Sequence, residues 1–191
     1  MSQSTSLSFY ATPPHDCNYL PGRESITVFA DPRAQMDNQM YGTLLAYGYR
    51  RSGSHVYAPY CIECTSCKSM RVPVNRFKPT RSQRRNLKLN SDLTFHIHAA
   101  EFNQEHFELY LKYISTRHQG GGMDDPDPAK YKEFLIADWC NTDFVEFRDR
   151  GRLLAVSIID KLYTGLSAVY TFFDHEESQR GLGTYAWLWQ V

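Results

Sequence analysis

Three cysteines fall within seven residues, Cys61, Cys64 and Cys67, and a fourth, Cys17, lies upstream. Thiolates bind Zn²⁺ tetrahedrally, and C-x₂-C spacing lets adjacent ligands bend around one ion. The C-x₂-C-x₂-C run therefore offers three ligands and Cys17 a fourth, for zinc or for an iron–sulfur cluster. The bland alternative is a set of ordinary reduced thiols. Next comes a basic tract, Arg76, Lys78, Arg81, Arg84, Arg85 and Lys88, with Ser82, Gln83, Asn86 and Asn90 between. No acid stands between Ser66 and Ser91 to neutralise it. Phosphate backbones reward such clusters through counterion release, and arginine adds bidentate hydrogen bonds, so the tract reads as a polyanion surface. The alternative is a solvated basic face.

Two further constellations lie near the C-terminus. In Arg180-Gly181-Leu182-Gly183-Thr184-Tyr185, glycines between a strand and a helix start would let backbone N–H groups approach an anion. The run partly matches the phosphate loop of acetyltransferase-type folds, with Tyr185 in place of the final small residue; a plain strand–helix turn reads it almost as well. Just before it stand Tyr170, Asp174 and His175. A carboxylate there could take a proton from an attacking amine, or simply cap a turn. His118 in a glycine-rich loop is equally open, His96 and His98 read as the exposed side of a strand, and Cys140 reads as core.

Positioning these groups requires a folded scaffold. With 191 residues, 42% hydrophobic and 22% charged, the chain can bury a core as one domain or two small ones. No apolar run of about 18 residues is present, which excludes a membrane-spanning helix. The N-terminus lacks the basic and apolar regions of a secretory signal, which favours the cytoplasm, where clustered thiols stay reduced. The formal net charge of zero hides an asymmetry. Ten of the 21 Lys/Arg lie between Arg50 and Ser91 with one acid, Glu63, while the rest of the chain carries 11 basic and 20 acidic residues.

Asp31-Pro32 predicts a helix start, with Met36, Met40, Leu44 and Tyr47 on one face and Gly48 as its stop. Leu93, Phe95 and Ile97 alternate as in a half-exposed strand. A second helix begins near Asn103, with Phe107, Tyr110, Leu111 and Ile114 inward. Asp127-Pro128 caps a third, with Tyr131, Phe134, Leu135 and Trp139 inward. Residues 144–148, 153–159 and 162–173 read as consecutive strands, Arg150-Gly151 being one turn. The stretch 184–191 reads as a helix just begun.

Together these segments resemble a known family. The residues that carry the likeness are Cys17-Asn-Tyr-Leu-Pro-Gly-Arg23, Gly48-Tyr-Arg-Arg-Ser-Gly53, Tyr60-Cys61 through Cys67, Arg71-Val-Pro-Val74 and Phe77-Lys-Pro-Thr-Arg-Ser-Gln-Arg-Arg-Asn86. Further on come Arg117-His-Gln-Gly-Gly-Gly-Met123, Tyr170-Thr-Phe-Phe-Asp174 and Leu182-Gly-Thr-Tyr185. The pattern is similar to that of the bacterial aspartate/glutamate leucyltransferases, relatives of the eukaryotic arginyl-tRNA–protein transferases, and spans Phe9 to Val191.

The resemblance implies an α+β fold. A cysteine-bearing N-terminal region, residues 1–75, would pack on an acetyltransferase-like mixed sheet with helices, residues 76–191. That region would be incomplete at its C-terminus, since members of the family continue for roughly a fifth of their length further. It implies transfer of leucine from leucyl-tRNA to the α-amine of proteins beginning with Asp or Glu, in the N-degron pathway, with no cofactor needed for the chemistry. Arg50, Arg51, Arg76, Lys78, Arg81, Arg84 and Arg85 are then the candidates for tRNA or the acidic N-terminus, Tyr170 and Asp174 for catalysis, and Arg180, Gly181 and Gly183 for the aminoacyl end. An arginyltransferase, a non-catalytic zinc-dependent nucleic-acid binder and a small-molecule acetyltransferase are the alternatives.

Overall fold

A computed structural model describes residues 6–117 and 127–191. Two sheets organise the described chain, both antiparallel. The N-terminal sheet has the order β1-β4-β6-β5, from β1 (Phe9–Ala11), β4 (Thr27–Ala30), β5 (Arg50–Ser52) and β6 (His55–Pro59). A two-stranded ribbon, β2 (His15–Asp16) with β3 (Glu24–Ser25), stands apart from it. The C-terminal sheet has the order β10-β9-β8-β7, from β7 (Thr94–Ala99), β8 (Thr142–Asp149), β9 (Arg152–Leu162) and β10 (Gly165–Phe173). The fold is α+β as expected. The expectation of a mixed sheet is corrected: every described pairing is antiparallel, because β8, β9 and β10 follow one another through short turns that reverse the chain.

The helices are α1 (Asn38–Ala46), α2 (Arg81–Leu89), α3 (Gln104–Arg117), α4 (Pro128–Leu135) and α5 (Leu182–Trp189). Strand alternation sends Phe144, Val156, Ile158 and Phe172 to one face of the C-terminal sheet, where they pack on Phe107, Tyr110 and Ile114 of α3 and Tyr131 and Leu135 of α4. Val145, Phe147, Ala155 and Ile159 go to the other, against Leu182, Tyr185 and Ala186 of α5 with Leu87 of α2 at the border. A third cluster joins Tyr41 and Leu44 of α1 to Ala30 and Val56 of the N-terminal sheet.

Three boundaries differ from expectation. The cap of α1 is Asp37, which accepts from the Met40 N–H at 2.7 Å. The Asp31 carboxylate is instead taken by the backbone and guanidinium of Arg33, which closes a local turn. Tyr47 is exposed. Trp139 lies past the end of α4 and packs edge-on against Tyr41, ring centroids 5.2 Å apart. The basic tract contains a helix, α2, which its polar composition concealed. Thr80 caps it reciprocally with Gln83: the Gln83 N–H donates to Thr80 Oγ1 at 3.2 Å and the Thr80 N–H to Gln83 Oε1 at 2.8 Å.

Candidate functional site

The basic face comes first. Arg81, Arg84, Arg85 and Lys88 are all exposed on α2, Arg84 turning back to donate to Pro79 O at 2.5 Å, with Arg76 and Lys78 exposed just before the helix. Among the described residues none of these six has an ion-pair partner. The opposite side of α2 is fixed. Asn86 Nδ2 donates to the carbonyls of Arg180 (2.9 Å) and Gly181 (3.2 Å), and Asn90 Nδ2 to Arg180 O at 2.8 Å. Phe77 packs edge-on against Trp187 of α5 at 5.7 Å. The positive face is therefore held in register with the turn that opens α5.

That turn is built differently from expectation. Arg180 is not available to an anion: its guanidinium is bound to both oxygens of Asp92 (3.0 and 2.8 Å), with Asp149 at 3.4 Å and Glu177 at 3.6 Å. Gly181 has φ +59°, a left-handed conformation that favours glycine, and a Cβ there would lie 2.8 Å from Asn86 Nδ2. A Cβ on Gly183 would stand 3.0 Å from the Phe173 ring. Both glycines are explained by packing.

Asp174 and Tyr170 do not meet. Asp174 directly follows β10 and lies four residues beyond Tyr170, with Phe172 between, so their Cα atoms are separated by about 13 Å of extended chain. Asp174 is buried, bonded to Lys112 Nζ of α3 at 2.8 Å, and caps the following turn by accepting from the Glu176 N–H. Burial pushes its carboxyl up, but Lys112 and that N–H outweigh it and leave the group below the usual carboxylate range. This makes it a weak base and a structural tie between β10 and α3. His175, beside it, lies 3.3 Å from Thr116 Oγ1 of the same helix.

Tyr170 follows a bulge in β10 at Val169, where the register against β9 shifts. It sits among rings: Phe134 at 5.1 Å, Tyr113 at 6.3 Å and Tyr110 at 6.4 Å between centroids, with Tyr131 5.0 Å beyond Tyr110. Among the described residues the buried Tyr131 and Tyr170 hydroxyls have no hydrogen-bond partner, each a loss of about 1–3 kcal/mol relative to a satisfied group. Burial raises both phenols, so they are neutral hydrogen-bonding groups.

Arg51 is corrected outright. Its side chain is 0% exposed and cannot touch a polyanion. It crosses from β5 to β9, with Nε and one terminal nitrogen 2.7 Å from the two oxygens of Asp160. Its remaining N–H groups reach Thr142 Oγ1 (3.2 Å), Leu135 O (3.0 Å) and Gly53 O (3.3 Å). The Gly53 N–H donates to Phe134 O at 2.6 Å, and at φ +55° any Cβ would fall 1.7 Å from Glu133 O. The Arg-Ser-Gly run is thus a latch between the two sheets. Burial pushes the neighbouring Cys140 thiol up to about 11, as suits an inert core cysteine. Arg50, one residue earlier, is half-buried on the N-terminal sheet.

The cysteine run lies in the segment after β6. Cys61 Sγ is 3.7 Å from Ser25 Oγ, and Cys64 Sγ 3.4 Å from Ser66 Oγ, which holds the thiol below its usual range. Cys67 is exposed and Cys17 half-buried. Among the described residues no three His, Cys, Asp or Glu side chains are grouped to hold a metal ion.

A polar cluster that periodicity does not show surrounds Glu146. His106 Nε2 is 2.6 Å from Glu146 Oε1, His98 Nε2 3.3 Å from Oε2, and Arg148 Nε donates to Oε2 at 2.7 Å while its terminal nitrogens hold Glu105. Burial lowers His106, opposed in part by Glu146. Burial raises Glu146, but Arg148 and His106 bring it down to about 2. Both folded values lie below the ordinary ones, so both contributions are present at neutral pH and lost on acidification. The melting midpoint is expected to fall first below about pH 6.5 through His106 and again between about pH 4.3 and 2 through Glu146. In Glu146→Gln the second fall should shrink; an undiminished one would refute the assignment. His118 lies outside the described residues.

Comparison with known proteins adds independent findings. Residues 15–85 match the family model described as arginine-tRNA-protein transferase, N terminus, and residues 105–191 the one described as its C terminus. An aspartate/glutamate leucyltransferase of Nitrosococcus oceani is 47% identical over 192 aligned positions, covering 100% of this chain and 81% of that protein. Those of Hahella chejuensis and Teredinibacter turnerae are each 48% identical, with 82% and 79% of their lengths covered.

Proposed function

The chain belongs to the arginine-tRNA–protein transferase family, and from that premise we infer that it moves leucine from leucyl-tRNA to the α-amino group of proteins that begin with Asp or Glu. The product would carry the N-terminal leucine that marks it for degradation. The observation that carries the reading is the unpaired basic face of α2, locked by Asn86 and Asn90 to the turn that opens α5. It offers a rigid cationic strip for tRNA phosphates beside the C-terminal sheet. We also propose that this sheet, with α3 and α4 on one face and α5 on the other, is an acetyltransferase-like aminoacyl transfer region.

The reaction needs no enzyme nucleophile. The amine nitrogen forms a bond to the leucyl carbonyl carbon, the ester C–O bond to the tRNA ribose breaks, and the amine's proton ends on the ribose hydroxyl. Transfer is already activated by the ester, so holding the two substrates together supplies most of the rate. The ion pair of Asp174 with Lys112 argues against Asp174 as the proton acceptor and for a role in holding β10 against α3. No described helix is long and apolar enough to cross a membrane; the proposed use of charged tRNA supports a cytoplasmic site of action.

The test offers labelled leucyl-tRNA and arginyl-tRNA with peptides beginning Asp, Glu or Ala. Leucine on the first two peptides alone is expected; transfer of arginine only would overturn the choice of donor.

A further inference from the structure

Two buried phenols with no hydrogen-bond partner among the described residues need an explanation that packing does not give. Phenylalanine at 131 or 170 would fill the same space and leave no polar atom unsatisfied. Both rings lean on Tyr110, at 5.0 and 6.4 Å, and Phe134 closes the far side of Tyr170 at 5.1 Å. The bulge at Val169 directly precedes Tyr170 on β10, a strand at the border of the described sheet. Bulges re-aim side chains beside functional sites. The arrangement is an apolar, aromatic nest between α3, α4 and β10, half-exposed at Tyr170 and Phe134, with two neutral hydroxyls on its buried side.

We propose that this nest receives the aminoacyl end of the donor, with the amino group of leucine on the Tyr131 and Tyr170 hydroxyls and its branched side chain against the rings of Tyr110 and Phe134. The inference rests on the leucyl-transfer reading and deepens it to residues. An amino group can both donate to and accept from a phenol, and aromatic faces suit an alkyl chain and an adjacent partial positive charge alike. The lining residues Tyr110, Tyr113, Tyr131, Phe134 and Tyr170 include no carboxylate. These five residues give a guanidinium no ionic partner, which favours leucine over arginine against this face.

Tyr131→Phe and Tyr170→Phe test this. Each variant should melt at the wild-type temperature or above, since an unsatisfied group is removed, and should bind uncharged tRNA as before. The KM for leucyl-tRNA should rise roughly tenfold, the effect of one lost hydrogen bond in a desolvated site. A second arm uses leucine methyl ester, which should raise the melting midpoint of wild type more than that of either variant. Equal KM in wild type and both variants, with equal ester shifts, overturns the nest. A wild-type chain that transfers no leucine yet shows a tyrosine-dependent ester shift sinks the transfer reading and leaves the nest standing.

Discussion

Replacing Arg51 with methionine is expected to destabilise the protein by about 3–5 kcal/mol, the effect of removing one partner from a buried ion pair. For a chain of this length that corresponds to a melting midpoint lower by roughly 10 °C. The reason is the group left behind. Asp160 is fully buried and takes two hydrogen bonds of 2.7 Å from Arg51; without them a carboxylate is left in the interior with its cationic partner gone, the neutral Thr142 hydroxyl 2.7 Å away remaining. Leu135 O and Gly53 O lose a donor as well. Lysine should not rescue the site, because one ammonium cannot span both Asp160 oxygens and two carbonyls. The double variant Arg51→Met with Asp160→Leu should recover much of the loss, since it leaves no lone charge. Thermal melts of the three variants decide it. A midpoint unchanged in Arg51→Met, with weaker and less salt-sensitive tRNA binding, would return Arg51 to the nucleic-acid surface.

Arg51 also shows where sequence stops being legible. Read locally it is one of ten cations in a basic window, and composition assigns it to the surface. Its partner lies 109 positions away, beyond any periodic or motif signal. Asp174 misleads in the same way: its local setting suggests a base, but Lys112, on another helix, holds it. What could be read was what local chemistry determines. Asp127-Pro128 caps α4, with Asp127 Oδ1 accepting from Ala129 and Lys130, and Asn103 receives the N–H groups of Glu105 and His106 where α3 begins. The Arg150-Gly151 turn has positive φ at both residues, as a two-residue hairpin requires. Helix α2 lay between these cases. Its apolar side is too narrow for a periodicity test, but Thr80-x-x-Gln83 carried the signal. The Glu146 cluster had none, because its members come from β7, α3 and β8.

Replacing Arg81, Arg84, Arg85 and Lys88 together with glutamine is expected to weaken tRNA binding on the order of 10²- to 10³-fold near physiological salt, while the melting midpoint stays within a few degrees. Each phosphate contact contributes a slope of about −0.7 to −0.9 in log affinity against log salt, so four lost contacts should flatten the slope by about three units. Stability is spared because the four side chains are exposed and have no ion-pair partner among the described residues. Glutamine also keeps the helix propensity of the residues it replaces. The contacts that seat α2, from Asn86 and Asn90 to the Arg180 and Gly181 carbonyls, and the Thr80–Gln83 cap are untouched. Any loss of binding therefore reports on charge and not on the position of the helix. Two readouts separate the roles of this face. If it holds tRNA, KM for leucyl-tRNA rises with the loss of affinity and kcat changes little, because the groups act equally before and during transfer. If it instead holds the acidic N-terminus of the acceptor, tRNA affinity and its salt slope stay at wild-type values and KM for the Asp-started peptide rises. An unchanged salt slope would thus remove α2 from the tRNA site and move it to the acceptor side of the reaction.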